Sequence, residues 1–270
     1  MSRPSTLLFV PFFNEQGRIG SLCRRIAEAD ARDPLLDELL LVDDGSTDGG
    51  LGDVLGCGIP CTVLRHPQRR GLGESFRTAY RHTLARGHEV FAVMAGNGKD
   101  DPADLSRVLS PVQQQRADYV QGSRFHPAGG RSERLPEHRR LAVRTFTLAL
   151  SLLCRQRLTD GANGFRAYRV ELLRDPRIDW CAPWLGSSYQ VEIYLLVSAL
   201  RLGYRVLEVP VAKRYPDDGR PYTKAAAVDW FRMVKPLVWC ALRADRVRSV
   251  RRAPGEASPG LERVREGSGV

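Results

Sequence analysis

The sequence predicts an α/β protein: a doubly wound, mostly parallel sheet with helices on both faces. Two observations predict it. Short apolar runs alternate with longer, helix-length stretches over the first 122 residues, the rhythm of βα units. Two of those runs end in polar turns rich in carboxylates and amides. Ligands of open α/β sheets bind just outside the carboxyl ends of the strands.

The first run, Thr6–Val10, ends at Pro11-Phe12-Phe13 and is followed at once by Asn14 and Glu15. A helix is predicted near Arg18–Asp30. The second run, Glu38–Val42, ends in Asp43-Asp44-Gly45-Ser46-Thr47-Asp48. Paired acids there can accept hydrogen bonds from ribose hydroxyls and base N–H groups, or hold a cation. The same residues also read as an ordinary βα turn with Asp48 as a cap. Adjacent parallel strands would bring Asn14, Glu15, Asp43 and Asp44 to one rim, and four converging polar groups favour a site.

A third strand, Cys61–Arg65, leads through Arg69-Arg70-Gly71-Leu72-Gly73-Glu74-Ser75 into a helix near Ser75–Arg86. Glycines there permit a tight turn and close backbone approach to a ligand, and the helix N-terminus favours anions. A dinucleotide fingerprint needs a third glycine and a place after the first strand, so a dehydrogenase is disfavoured. The fourth strand, Val90–Ala95, ends in Gly96-Asn97-Gly98-Lys99-Asp100-Asp101-Pro102, with Pro102 opening a helix near Ala103–Gln115. The fifth is Tyr119–Gly122.

Past Gly122 the rhythm changes. A loop over Phe125–Arg139 precedes a long helix near Arg140–Gln156 and a turn at Thr159–Gly164. A helix near Ser188–Leu202, a strand at Arg205–Val211, a polar loop over Ala212–Lys224 and a last helix near Ala225–Arg246 follow. These make one domain over residues 1–246, with a nucleotide-binding half of about 6–122 and an acceptor half of about 123–246. Residues 247–270 read as a disordered basic tail.

Glu192 lies in a helix that is apolar nearly all round, where an unpaired carboxylate costs several kcal/mol. It must be paired with an arginine, protonated, or facing a cleft. Asp160 is either an acceptor-facing carboxylate or the cap of its own turn. On the last helix Asp229, Arg232, Lys235, Arg243 and Arg246 share a face with Trp239, which suits either a helix lying on an anionic membrane or one packed on the core.

The 270 residues are 43% hydrophobic and 27% charged, with a net charge of +10. No apolar run approaches the ~18 residues of a membrane span. The first residues run straight into a strand, so no signal peptide is expected and a cytoplasmic location is. Six scattered cysteines, without a zinc pattern, read as buried free thiols of a reducing compartment. The positive charge suits an anionic substrate or a membrane surface. A nucleic-acid partner is not expected, because no recognition motif accompanies the charge.

The succession Pro11-Phe12-Phe13-Asn14-Glu15, Val42-Asp43-Asp44-Gly45-Ser46-Thr47-Asp48, Gly71-Leu72-Gly73, Gly122-Ser123-Arg124-Phe125, Asp160-Gly161-Ala162-Asn163-Gly164-Phe165-Arg166-Ala167-Tyr168, Glu208-Val209-Pro210-Val211 and Tyr222-Thr223-Lys224 resembles glycosyltransferase family 2. It is most similar to the branch that includes dolichyl-phosphate mannosyltransferase. The motifs span residues 6–243 in the family's order. The resemblance implies a GT-A fold and inverting transfer of a sugar from a nucleotide-diphosphate sugar. The implied acceptor is a polyprenyl phosphate at the cytoplasmic membrane face, with peripheral membrane association. A soluble hydroxyl acceptor or glycan is the alternative, as is a non-catalytic sugar-nucleotide-binding protein.

Carried across residue by residue, Pro11, Asn14, Glu15, Asp43 and Asp44 would hold the nucleoside, with Gly71 and Asn97 also on the nucleotide sugar. Arg124 and Arg140 would hold an anionic acceptor or the diphosphate, and Arg214 and Lys224 would close over phosphates. A phosphate acceptor needs no base; a hydroxyl acceptor would need Asp160 or Glu192. One departure stands out. The family's Asp-x-Asp, which positions a divalent ion such as Mg²⁺ or Mn²⁺, is replaced by Ala95-Gly96-Asn97. Either the Lys99 ammonium supplies the missing charge and metal dependence is weak or absent, or a shifted metal site uses Asn97 with Asp100 or Asp101.

Overall fold

A computed structural model describes residues 3–56, 58–215 and 234, and the backbone of 262–265. The first half alternates strand and helix: β1 (Thr6–Phe12), α1 (Ile19–Arg32), β2 (Glu38–Asp43), α2 (Gly50–Gly56), β3 (Thr62–Arg65), α3 (Leu72–Arg86), β4 (Val90–Val93), then α4 (Leu105–Gln113). The second half comprises β5 (Tyr119–Ser123), β6 (Arg131–Glu133), α5 (Glu137–Cys154), β7 (Arg166–Arg169), α6 (Glu171–Arg174), α7 (Gln190–Arg201), β8 (Val206–Pro210) and β9 (Ala212–Arg214). A last strand, β10 (Glu262–Arg265), comes from the tail.

Eight strands form one sheet in the order β10-β3-β2-β1-β4-β7-β5-β8, and β6 pairs with β9 in a small second sheet. The pairs β1–β2, β1–β4, β2–β3 and β5–β8 are parallel. β7 runs antiparallel between β4 and β5, so both still point the same way. The carboxyl ends of β1, β2, β4 and β5 therefore share a rim. Strand order reverses between β1 and β4, the switch point where α/β sheets open a crevice.

The unbroken apolar runs are explained by burial on both faces. Leu7, Phe9, Leu40 and Val42 join one core with residues of α3, α5 and α7. Their neighbours Leu8, Val10, Leu39 and Leu41 join another with residues of α1, α2 and α4. Each such fully buried side chain contributes about 1.5–3 kcal/mol. Under the second half an aromatic column fixes the antiparallel strand: Tyr119 stacks on Tyr168 at 5.2 Å, and the Tyr168 hydroxyl donates to that of Tyr80 at 2.7 Å.

The doubly wound, mostly parallel sheet with helices on both faces is thus observed. Several short elements, α6 among them, depart from the sequence reading. Residues 131–133 and 212–214, expected as loop, pair as β6 and β9. β7 and α2 were not anticipated. The tail expected to be disordered supplies β10, which pairs antiparallel with β3; its other residues lie outside those described. Of the expected helix near Ala225–Arg246 only Val234 is among the described residues, and the rest lies outside them. Of the cysteines, Cys23 and Cys61 are buried free thiols as expected, Cys154 is half-buried, and Cys181 is exposed. Among the described residues no helix is long and apolar enough to cross a membrane.

Candidate active site

A cavity of about 300 Å³ opens at the rim between β1 and β4. Its first wall comes from the tips of β1 and β2. Asn14, in the left-handed region at φ 51°, ties the two tips together. Its backbone N–H donates to Ser46 Oγ (3.0 Å), and its Oδ1 accepts from the Thr47 N–H (2.8 Å). Asp43 is fully buried; Oδ1 accepts from the Ser46 N–H (2.8 Å), and Oδ2 lies 3.3 Å from Arg65 Nε. Asp44 reaches the cavity wall, but its oxygens accept from His66 Nδ1 (2.9 Å) and from the N–H groups of Arg70 (2.9 Å) and Gly71 (2.8 Å).

Asp44 therefore fixes the glycine turn that opens α3. Gly71 has φ +93°, and a Cβ there would run into the Ser187 carbonyl oxygen, so only glycine fits. Pro11 and Glu15 line the cavity, with Glu15 Oε2 paired to Arg18 at 3.1 Å. Phe13 and Arg69 line it too, the guanidinium 4.5 Å from the ring centroid.

The floor is the segment after β4. Ala95, Gly96 and Asn97 all line the cavity. A Cβ at Gly96 would sit 2.6 Å from the Pro11 carbonyl oxygen, so no side chain can be carried there. Asn97 Oδ1 accepts from the Lys99 N–H at 3.2 Å. The side chain of Lys99 points into the cavity region, 5% exposed and 5.3 Å from the Tyr215 ring centroid. Burial, reinforced by Lys213, draws its pKa down to about 7.

The opposite wall is cationic. Arg124, at the end of β5, is clamped by Asp160: Nε to Oδ2 at 2.7 Å, Nη2 to Oδ1 at 2.8 Å, and the backbone N–H to Oδ2 at 3.0 Å. Its Nη1 donates to the Tyr215 hydroxyl at 3.0 Å. Burial works against the Arg124 charge, but Asp160 outweighs it and raises the pKa further. Lys213 on β9 pairs with Asp100 Oδ1 at 2.9 Å and donates to Asn163 Oδ1 at 2.9 Å. Glu192 lies 3.4 Å from Arg166, itself buried on β7 and bonded to Tyr119 (3.0 Å). Burial raises the Glu192 pKa despite Arg166.

Of the residues singled out from sequence, Pro11, Glu15, Asp44, Asn97, Lys99, Arg124 and Glu192 meet at the cavity. Asn14, Asp43 and Gly71 shape its wall from behind. Asp160, expected to face an acceptor, is fully buried behind Arg124, so its role is to hold that guanidinium. Arg140 does not line the cavity and pairs with Glu137 at 3.5 Å on α5; its neighbour Arg139 lines it instead. Arg214 points outward, 78% exposed and bound to Glu133, while Lys213 faces in. The three weak metal candidates do not converge. Asp101 caps a 3₁₀ turn and binds Arg25, Asp100 binds Lys213 and the Ala95 N–H, and Asn97 alone reaches the cavity. Lys224 lies outside the described residues.

Phe13, Arg69, Arg139, Lys213 and Tyr215 were missed. For Lys213 and Tyr215 a signal existed. Val211, Lys213 and Tyr215 alternate with Ala212 and Arg214 in the period of a strand.

A mostly parallel sheet, reversed at β7 and at the edge strand β10 and carrying a cationic cavity at its switch point, has the arrangement of the GT-A fold. Solved structures agree on the fold. Glucosyl-3-phosphoglycerate synthase from Mycobacterium tuberculosis, in complex with Mn²⁺, UDP-glucose and phosphoglyceric acid, superposes with a TM-score of 0.64 at 22% identity, covering 88% of this chain and 80% of that one. A sequence model of glycosyl transferase family 2 matches residues 8–175, and the chain belongs to that family. Polyprenol monophosphomannose synthase of Mycolicibacterium smegmatis is 32% identical over 210 residues, 76% of each chain. Undecaprenyl-phosphate mannosyltransferase of Micrococcus luteus is 30% identical over 208 residues, 76% of this chain and 82% of the relative.

Proposed function

We propose that this glycosyltransferase moves a hexose, with inversion, from a nucleotide-diphosphate sugar to a polyprenyl phosphate presented at the cytoplasmic face of a membrane. The nucleoside rests between the tips of β1 and β2, where turns locked by Asn14, Asp43 and Asp44 give a rigid edge. Arg124 and Arg139 hold the acceptor phosphate. One of its oxygens forms the new bond to the anomeric carbon as the bond to the diphosphate breaks, and the diphosphate leaves with the electron pair.

The observation that carries this reading is Arg124. It is buried, lines the cavity, and is oriented by Asp160 through two side-chain hydrogen bonds. A clamped guanidinium recognises a phosphate by charge and by geometry. The two mannosyltransferase-type relatives, aligned over three quarters of this chain, act on polyprenyl phosphates by name and make mannose the first sugar to test.

A second reading has one observation in its favour. Glu192 lines the cavity with a raised pKa, as a general base for a hydroxyl acceptor would. The test is direct. Purified protein is given labelled GDP- and UDP-hexoses with undecaprenyl phosphate in detergent, or with a soluble glycan. Label should pass to the organic phase, and Glu192→Gln should leave that transfer within a few-fold of the parent. Transfer confined to the soluble acceptor, abolished by Glu192→Gln, would replace the first reading with the second.

A further inference from the structure

A solved glucosyl-3-phosphoglycerate synthase of this fold holds Mn²⁺ together with UDP-glucose, which raises the question of a divalent ion in this chain. They do not suit one. The segment after β4 offers the cavity a methyl group, a glycine that cannot accept a Cβ, and one amide whose oxygen is already bonded. The carboxylates that reach the cavity are Glu15, Asp44 and Glu192, and each is engaged with a cation or with N–H groups. Among the described residues no three His, Cys, Asp or Glu side chains gather as a metal-binding group. Instead two ammonium groups face the same space.

We infer that the Lys99 ammonium, beside the Asp100-paired Lys213, takes the place of the divalent metal on the donor's diphosphate. The inference rests on the nucleotide-diphosphate-sugar reading above. The two lysines are held side by side by backbone pairing. Asp100 and Lys213 form an antiparallel bridge, and the Arg214 N–H donates to the Lys99 carbonyl oxygen at 2.9 Å. The bridge carries the loop after β4 against β9, so the Ala95-Gly96-Asn97 segment is joined to the strand that carries Lys213.

Their surroundings differ in an informative way. Lys213 is anchored by Asp100 and Asn163, which fixes its position. Lys99 is only 5% exposed, and its ammonium makes no hydrogen bond or ion pair with any described residue; it faces the Tyr215 ring. A buried ammonium left without an acceptor is costly unless a ligand supplies one. An anion bound in the cavity is a ligand that meets this requirement. A diphosphate leaving with two to three negative charges needs positive charge where it departs, and an ammonium can supply it as a point charge.

The test is calorimetric titration of the full-length protein with UDP and with GDP, each in excess EDTA and again in excess Mg²⁺ or Mn²⁺. Expected is binding of at least one of the two with an affinity that chelation leaves unchanged. Lys99→Gln should weaken that binding about 10- to 100-fold, as loss of a charge-assisted contact does, while the corresponding nucleoside loses little. Lys99→Arg should recover part of it. Binding that vanishes in EDTA and returns with Mg²⁺ or Mn²⁺ overturns the inference and leaves the transferase reading standing. Binding of neither nucleotide under any condition overturns both. The chelation arm uses the parent protein, so its outcome is independent of any variant's folding.

Discussion

At the tips of β1 and β2 the polar side chains turn inward. Asn14, Asp43 and Asp44 give their acceptors to the N–H groups of their own turns and of the Gly71 turn. Across the cavity the pattern is reversed. Arg124 and Lys213 face the ligand space, and acids stand behind them: Asp160 behind Arg124, Asp100 behind Lys213. One wall works by shape, with acids holding backbone; the other works by charge, with acids holding cations. Carboxylates thus support the site on both sides. Of the two carboxylates picked from the sequence as catalytic candidates, Asp160 supports an arginine of the cavity wall, and Glu192 lies 3.4 Å from the buried Arg166.

The sharpest way to break that contrast is Arg124→Ala. It removes the cation and leaves Asp160 buried without its main partner. Breaking a buried pair from one side costs about 3–5 kcal/mol of stability. Loss of one preorganised charge contact costs roughly 10²- to 10³-fold in turnover. The unfolding midpoint and kcat/KM with a polyprenyl phosphate should fall together. A variant that loses stability but keeps kcat/KM would show that this wall is structural like the other.

Next in size is Gly71→Ala on the shape wall. The residue sits at φ +93°, and its new Cβ would strike the Ser187 carbonyl oxygen. Strain of this kind costs about 1–3 kcal/mol, and relieving it would move the turn that Asp44 holds. Nucleoside diphosphate affinity should drop, with kcat less affected than KM. Gly98→Ala is the control: its φ is also positive, at +71°, but its Cβ would meet nothing within 4 Å.

The same contrast explains what could be read from the sequence. β1, β2 and β4 are buried on both faces, and such strands appear as plain apolar runs; their tips carried legible turns. The cationic wall depends on pairing between distant segments. β7 is four residues long, lies antiparallel between two parallel strands, and carries Arg166 on a buried face, so no apolar run announces it. β6 and β9 are three residues each and resemble loop. Asp160 and Glu192 were visible as unusual carboxylates, but which cation each one meets is settled by tertiary packing. Arg124 was found through its motif, whereas Lys213 needed the strand register of β9.

That register gives the smallest predicted effects and the finest resolution of the two walls. Arg139 and Arg140 are neighbours on α5, as Lys213 and Arg214 are on β9, yet within each pair only the first lines the cavity. Arg214 forms an exposed pair with Glu133, and Arg140 a 3.5 Å pair with the exposed Glu137. Surface pairs of this kind contribute about 0–1 kcal/mol. Arg140→Ala and Arg214→Ala should therefore shift the unfolding midpoint little and leave kcat/KM within about twofold, because each removes less than ~0.5 kcal/mol. Arg139→Ala and Lys213→Ala, made beside them, should each lower kcat/KM at least tenfold, the ordinary value of a charge-assisted contact to an anion. A one-residue displacement then separates a functional cation from a solvated one. Equal losses within a pair would mean that charge near the cavity mouth matters more than contact, and the charged wall would be a diffuse field instead of a built site.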